Sequence, residues 1–228
     1  MLIRVATTRA DLPRTGEGIA YVHGEIEPKI SAMDGNNGFA MAVDRSSGRY
    51  VGFAAWTDRE ALEASGQDAP DLIADLAQRL HGSKPSVEVF DLLLVHLVKP
   101  VRVGYWGWFT RLEVPVQDFA RAVQGLKNTV LAIFDRYDGL ASIILFGDRT
   151  SGVLGNIVWY DSFRVLRGSA TSAKEARELL VVDVPTVRYV EHSELQVVIA
   201  EMQTLFLRGS RTRPWTLTSG FRLPPRTR

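Results

Sequence analysis

Apolar residues recur every three or four positions between 19 and 30, where Ile19, Val22, Ile26 and Ile30 fall on one side of a helix. The spacing returns further on, in Phe119, Val123, Leu126, Val130, Ile133, Phe134 and Tyr137. After each stripe the pattern changes. "FAMAV" and "ASIILF" are short apolar runs, each followed by an Asp-Arg-Ser/Thr-Ser-Gly stretch and then by a second run, "YVGFAAW" or "VLGNIVW". Asp bonds its own backbone in such a turn and Gly takes positive φ, so each set predicts a β-hairpin. The runs do not alternate with polar residues, which predicts strands buried on both faces.

A further helix is expected after each hairpin. "TDREALEAS" carries Thr57 and Glu60 at capping-box spacing, and "SAKEARELL" carries Ser172 and Glu175 at the same spacing. Beyond Pro70, Leu72, Ile73, Leu76 and Leu80 form another helical stripe. Opening strands are read in "LIRVAT" and "VRVGYWGWFTRLEV", closing strands in "SVEVFDLLLVHLV" and "TVRYVEHSELQVVIA". Each half therefore reads β-α-β-β-α-β, a ferredoxin-like unit.

The halves also match residue by residue. Asp44 to Gly48 meets Asp148 to Gly152 at an offset of 104, as do Val22 with Leu126 and Ile26 with Val130. Trp56 and Asp58 meet Trp159 and Asp161 at 103, which reads as one residue lost after the turn. A single ferredoxin-like sheet covers one face with helices and leaves the other bare. Strands buried on both faces predict that the second half supplies the cover, sheet against sheet. The expected fold is α+β: tandem ferredoxin-like repeats, 1–99 and 100–207, forming an intramolecular α+β barrel, with a tail at 208–228.

Composition narrows the classes. The chain has 228 residues, 46% hydrophobic and 23% charged, ordinary for a globular protein. It has no cysteine, which excludes disulfides, thiolate metal sites and cysteine nucleophiles. No apolar run approaches the roughly 20 residues that span a bilayer. The start, "MLIRVATTRADLP", lacks a signal-peptide pattern, so a cytoplasmic protein is expected. Only five of the 27 basic residues are Lys, an Arg bias suggesting a GC-rich bacterial source. Six Arg and no acid lie in the last 21 residues, leaving 21 basic and 26 acidic groups elsewhere. This tail is expected to lie on the acidic body or on a partner subunit, giving oligomerisation a route, rather than to bind nucleic acid.

"WTDREALEAS" resembles the Trp-x-Ser/Thr-x-Glu-Ala-x-x-Ala-His stretch of antibiotic-biosynthesis-monooxygenase-like proteins, in the dimeric α+β barrel superfamily. Many members of that superfamily are homodimers of one unit; the resemblance implies two units fused here. It also implies a pocket between sheet and helices, as in cofactor-free oxygenases acting on polycyclic phenols. Haem-degrading members use a His after the Trp strand and an Asn on the first strand. Here the His position is Ser65, matched by Ser169, and the first strands offer Ala6, Thr7 and Thr8, or Trp108, Phe109 and Thr110. Both departures argue against haem, and no cofactor is expected.

Each candidate site residue has two readings. Trp56 and Trp159 close their strands and either line a pocket or anchor the core. Trp106 and Trp108 share one face of a crowded strand, as cavity wall or as packing. Asn156 puts an amide in a buried strand, facing away from Trp159, and requires partners or a ligand. His23 lies about 40° round the helix from Ile19, so it is expected to point at the sheet and serve as a general base. Its counterpart is Lys127, which implies at most one active pocket. His192 and Glu194 share a face, but no spacing supports a metal site. Phosphate loops, dinucleotide fingerprints and nucleophile elbows are missing. Three classes stay open: a cofactor-independent oxygenase on a small apolar or aromatic molecule, a binder of such a molecule, and a structural or interaction protein.

Overall fold

The computed structural model describes residues 1–66 and 68–202; the basic tail at 208–228 and the end of the 100–207 unit lie outside the described residues. The chain opens with β1 (Leu2–Arg9), then α1 (Thr15–Tyr21), which runs through a π-helical turn (Val22–Ile26) into α2 (Glu27–Ser31). The hairpin β2 (Asn36–Asp44) and β3 (Arg49–Trp56) follows, then α3 (Arg59–Ala64), α4 (Asp68–Arg79) and β4 (Ser86–Leu97). The same order returns in β5 (Trp106–Glu113), α5 (Phe119–Phe134), β6 (Leu140–Asp148), β7 (Val153–Tyr160), α6 (Phe163–Gly168), α7 (Ala170–Asp183) and β8 (Arg188–Met202).

All eight strands close into one antiparallel barrel, ordered β1-β3-β2-β8-β5-β7-β6-β4. The first four strands form one run, β4-β1-β3-β2, and the last four another, β8-β5-β7-β6. The runs join at their edges, β2 to β8 and β4 to β6, so among the described residues no edge strand is left unpaired. Faces meet only across the barrel interior, where Ile3, Val5, Phe53, Phe109, Phe146 and Trp159 pack together. The opposite strand faces carry the helices. Val22, Ile26 and Ile30 press on one run and Leu126, Val130 and Phe134 on the other, all essentially inaccessible. Each such side chain contributes about 1.5–3 kcal/mol by leaving water. Burial on both faces explains why these strands read as unbroken apolar runs.

Both hairpin turns form as the sequence predicts. The Asp44 carboxylate accepts from the Ser46 N–H at 2.8 Å, and that of Asp148 from the Thr150 N–H at 2.9 Å. Gly48 and Gly152 sit at φ 68° and 74°, and a Cβ on Gly48 would stand 2.5 Å from the Ala10 carbonyl oxygen.

Beyond the turn the register differs from the expectation. Leu2 and Asn36 flank Trp56, while Trp106 and Leu140 flank Tyr160. The offset therefore stays at 104, and the partner of Trp56 is Tyr160, not Trp159. Sequence matching slipped because the two helix caps differ. Asp58 caps α3 by accepting from the Ala61 N–H, whereas Ser162 caps α6 by accepting from the Val165 N–H. Thr57 and Ser172 are not caps; Ser172 lies inside α7, bonded to Tyr137 and Arg136. On the closing strands the offset becomes 105, since Ala6 pairs with Val87 and Thr110 with His192, and the extra residue is Val190. Arg111 pairs with Glu191 and Leu112 with Tyr189, which leaves Val190 bulged and exposed.

Candidate functional site

Alternation along β1 sends Leu2, Arg4, Ala6 and Thr8 toward the helices, while Ile3 and Val5 enter the barrel interior. Between this face and the π-helical turn, α2 and α4 lies a cavity of about 40 Å³, walled by side chains such as Ile26, Phe39, Met41 and Leu76. That is near the roughly 30 Å³ share of one water molecule in the liquid. Its polar wall is small. The Thr8 hydroxyl is spent on the Ser83 carbonyl (2.7 Å), and the Tyr50 hydroxyl on Thr15 (2.7 Å).

Arg4 and Trp56 complete the wall, and each has one buried nitrogen without a partner among the described residues. Arg4 is 6% exposed and Trp56 is wholly buried. The Arg4 Nη2 donates to the Leu62 carbonyl at 3.0 Å, and the guanidinium lies 5.5 Å from the Trp56 ring centroid. Arg4 Nη1 and Trp56 Nε1 have no acceptor among the described residues. A buried donor left unpaired costs about 1–3 kcal/mol, more when charged. Burial pulls the Arg4 pKa below the ordinary arginine value, with no carboxylate acting against it.

The second half places other residues at the same strand positions. Trp108 stands for Arg4, Asn156 for Gly52, and Tyr160 for Trp56, all buried. The Trp108 indole N–H donates to Ser169 Oγ at 3.0 Å, and that hydroxyl donates to the Leu166 carbonyl at 2.7 Å. On its other side Trp108 stacks on His192, with centroids 4.7 Å apart. Burial first, and Arg177 second, push the His192 pKa down to about 4. Arg177 donates to His192 Nε2 at 2.9 Å, so Nδ1 carries the proton and donates to Thr110 Oγ1 at 2.9 Å.

The residues singled out from sequence do not converge. Trp56 lines the first cavity; Trp106 and Trp108 pack beneath the second-half helices, Trp106 against Phe163 at 4.7 Å. Asn156 is buried in β7 at the Gly52 position. Trp159 faces the barrel interior, edge-on to Phe53 at 6.3 Å, so it cannot share a pocket with Trp56. His23 corrects an expectation. Its side chain is 49% exposed, and its Nδ1 pairs with Glu27 Oε2 at 2.6 Å. The helix is anchored by Val22, Ile26 and Ile30, and His23 lies one residue past Val22, about 100° away from it. Counting from half-buried Ile19 misplaced it. Sequence reading missed Arg4, although a lone charge in the apolar run "LIRVAT", on the same alternate face as Leu2 and Ala6, was the available signal. No metal-binding cluster of His, Asp or Glu occurs among the described residues.

The same architecture occurs in solved structures of low sequence identity. A candidate monooxygenase from Fusobacterium nucleatum superposes with a TM-score of 0.69 at 14% identity, covering 88% of this chain and 94% of that one. A candidate monooxygenase from Lactobacillus acidophilus gives 0.67 at 13% identity, covering 89% and 96%. At such identities the likeness shows the fold alone. No family model matches the sequence. The chain is 30% identical over 181 residues to the uncharacterized protein Rv2557 of Mycobacterium tuberculosis, covering 76% of this chain and 80% of that protein. It belongs to the family of Rv2557.

Proposed function

We propose that this chain is a binding protein for a small, mainly apolar molecule, built from two fused copies of one β-α-β-β-α-β unit, with only the first copy working. The units are 1–99 and 100–207, related by the 104-residue offset that runs through strands, turns and helix stripes. The single observation that carries the binding reading is the contrast beneath the helices. One half keeps a cavity, while the matching positions of the other are filled by Trp108, Asn156 and Tyr160; buried unpaired groups occur in both, at Arg4 and Trp56 and at the Tyr160 hydroxyl. Binding is favoured over turnover because no His, Asp or Glu lines the cavity among the described residues. The cavity admits a few heavy atoms at rest. A ring enters only as flexible side chains such as Met41 give way.

The monooxygenase-like neighbours favour a second reading, in which the bound molecule is oxidised without a cofactor. One experiment separates the two. Fragments from isobutyrate to benzoate, with their neutral amides, are added to the isotope-labelled full chain and followed by NMR. Binding is expected to shift the Trp56 indole N–H, Gly52 and Ala54, and to leave the Trp108 indole and Asn156 in place. Shifts confined to the second half, or none at all, overturn the reading. Oxygen uptake in the presence of a bound fragment decides for the second reading.

A further inference from the structure

We infer that the outer groove between α7 and the start of β8 binds a free aliphatic acid, its carboxylate on Arg177 and its chain along Val181, Val182 and Val190. This site stands apart from the first-half cavity and from the positions that Trp108, Asn156 and Tyr160 fill. The groove is open to solvent and has a volume of about 600 Å³, within the range that holds a small organic molecule. Two features of the sequence build it. Ala173, Ala176 and Leu180 anchor α7, which leaves Arg177 and Val181, one turn apart, on one flank, with Val182 standing 79% exposed beside them. On β8 the bulge adds one residue and turns Val190 outward, 51% exposed. Three exposed valines thus line one groove, a patch rather than scattered single residues.

The charges along the groove are not balanced alike. Glu191 pairs with Arg49 and accepts from the Ser193 hydroxyl at 3.0 Å. Glu178 pairs with Lys174, one turn back, at 3.7 Å. Arg177 pairs with no carboxylate among the described residues; its Nη1 donates to His192 Nε2 at 2.9 Å. That imidazole is neutral near pH 7, stacks on Trp108 and donates to Thr110. It therefore holds the guanidinium in place without cancelling its charge. Nε and Nη2 stay unbonded among the described residues, and together they form the edge that receives a carboxylate through two parallel hydrogen bonds. Beyond the guanidinium the wall offers valines and the ring of Tyr189, whose hydroxyl is spent on the Arg177 carbonyl. Such a wall suits a hydrocarbon chain and leaves the amides of a peptide short of partners. The first half puts Ile73 at the Arg177 place and Val87 at that of His192, so the held cation belongs to the second half.

The test adds butyrate, hexanoate and octanoate to the full chain and follows valine methyls and the His192 ring by NMR. Octanoate is expected to shift Val181, Val182, Val190 and His192, with affinity rising about two- to fourfold per added methylene. A short acid gains only an exposed ion pair, worth at most about fivefold, so a fragment such as isobutyrate barely populates the groove. Octanol and octylamine are expected to bind about two- to fivefold more weakly than octanoate. Arg177→Met is expected to erase that difference. Arg177→Lys is expected to keep part of it, and serves if the Met variant does not fold. Octanol binding as tightly as octanoate overturns the inference, as does an affinity that stays flat from butyrate to octanoate. Shifts that miss the three valines overturn it wherever else they fall. A short apolar peptide with a free C-terminus that outbinds octanoate overturns the choice of a free acid. Valine signals that move on dilution of the chain alone put a second copy in the groove and overturn it too. Trp56 reports on the first-half cavity, so failure there and failure here are read on different signals.

Discussion

Beneath the first pair of helices a strand presents Arg4; beneath the second pair the same strand position presents Trp108. Both are buried, and their surroundings share strand order, turn chemistry and helix stripes. The difference is in what each side chain finishes. Trp108 ends its hydrogen bond on Ser169 and its ring on His192, so its donor is satisfied within the protein. Arg4 bonds one carbonyl and keeps an unmatched charge beside an unmatched indole. One frame can thus be closed by packing in one half and leave a buried charge without a full set of partners in the other. Fold alone does not decide which, since activity belongs to sites rather than architectures.

The sharpest way to break this comparison is to exchange its terms. Trp159→Ala removes a large ring from the barrel interior shared by both halves, and is expected to cost about 4 kcal/mol in urea unfolding. Ligand shifts at Trp56 should survive it under native conditions, because Trp159 and Trp56 face opposite sides of the barrel wall. Loss of those shifts in a folded variant would join two regions that the register separates. Trp108→Arg writes the first half's charge into the second. No carboxylate is bonded to Trp108 or Ser169, so a buried, unpaired charge is expected to cost about 3 kcal/mol. A variant as stable as the native chain would mean that the second half tolerates an open, charged cavity, and the asymmetry would vanish.

A smaller effect probes the register. Ser162→Ala removes the cap of α6 and is expected to cost about 0.5–1 kcal/mol, read as a drop in urea midpoint with an unchanged slope. If Asp161 capped the helix, as matching it to Asp58 by sequence suggests, the substitution would be silent.

The sequence made the frame legible because its signals are long-range periodicities. Stripes at three and four, turns of Asp and Gly, and unbroken apolar strands each involve many residues, and a wrong choice at one does not move the rest. The site was less legible because it turns on single positions. His23 was misplaced by a helix that is anchored on Val22 and passes through a π-helical turn, where counting by 100° drifts. Trp159 was misread because Trp-x-Asp recurs one residue out of step, and one step along a strand turns a side chain to the other face. Arg4 was overlooked because an Arg in a strand reads as a solvated edge until its neighbours are known. Its burial depends on α3 reaching over β1 to offer the Leu62 carbonyl, a contact 58 residues away.

The last contrast between the halves is in acid. The second half lays an imidazole, His192, face-on against Trp108 with the rest of the residue exposed, while the matching position on β4 is Val87, paired with Ala6 as His192 is with Thr110. Burial and the Arg177 charge push His192 down to about 4, against about 6.5 in an unfolded chain. Between these values the unfolded chain binds more protons than the folded one. The contribution of His192 is therefore complete above about pH 6.5 and is lost as pH falls toward 4. Part of the ring meets solvent, so the loss is expected to be well under the 1.4 kcal/mol per unit of a fully buried group. NMR titration should find the His192 ring neutral at pH 5.5, with the proton on Nδ1. Arg177→Met should raise its midpoint, because it removes a repelling charge. Urea unfolding between pH 7 and 4.5 should show a shallower acid decline in His192→Phe than in the native chain. An unchanged decline would return the acid sensitivity to the carboxylates, among them Asp44 and Asp148, whose turn hydrogen bonds hold both below the usual range and which the two halves share.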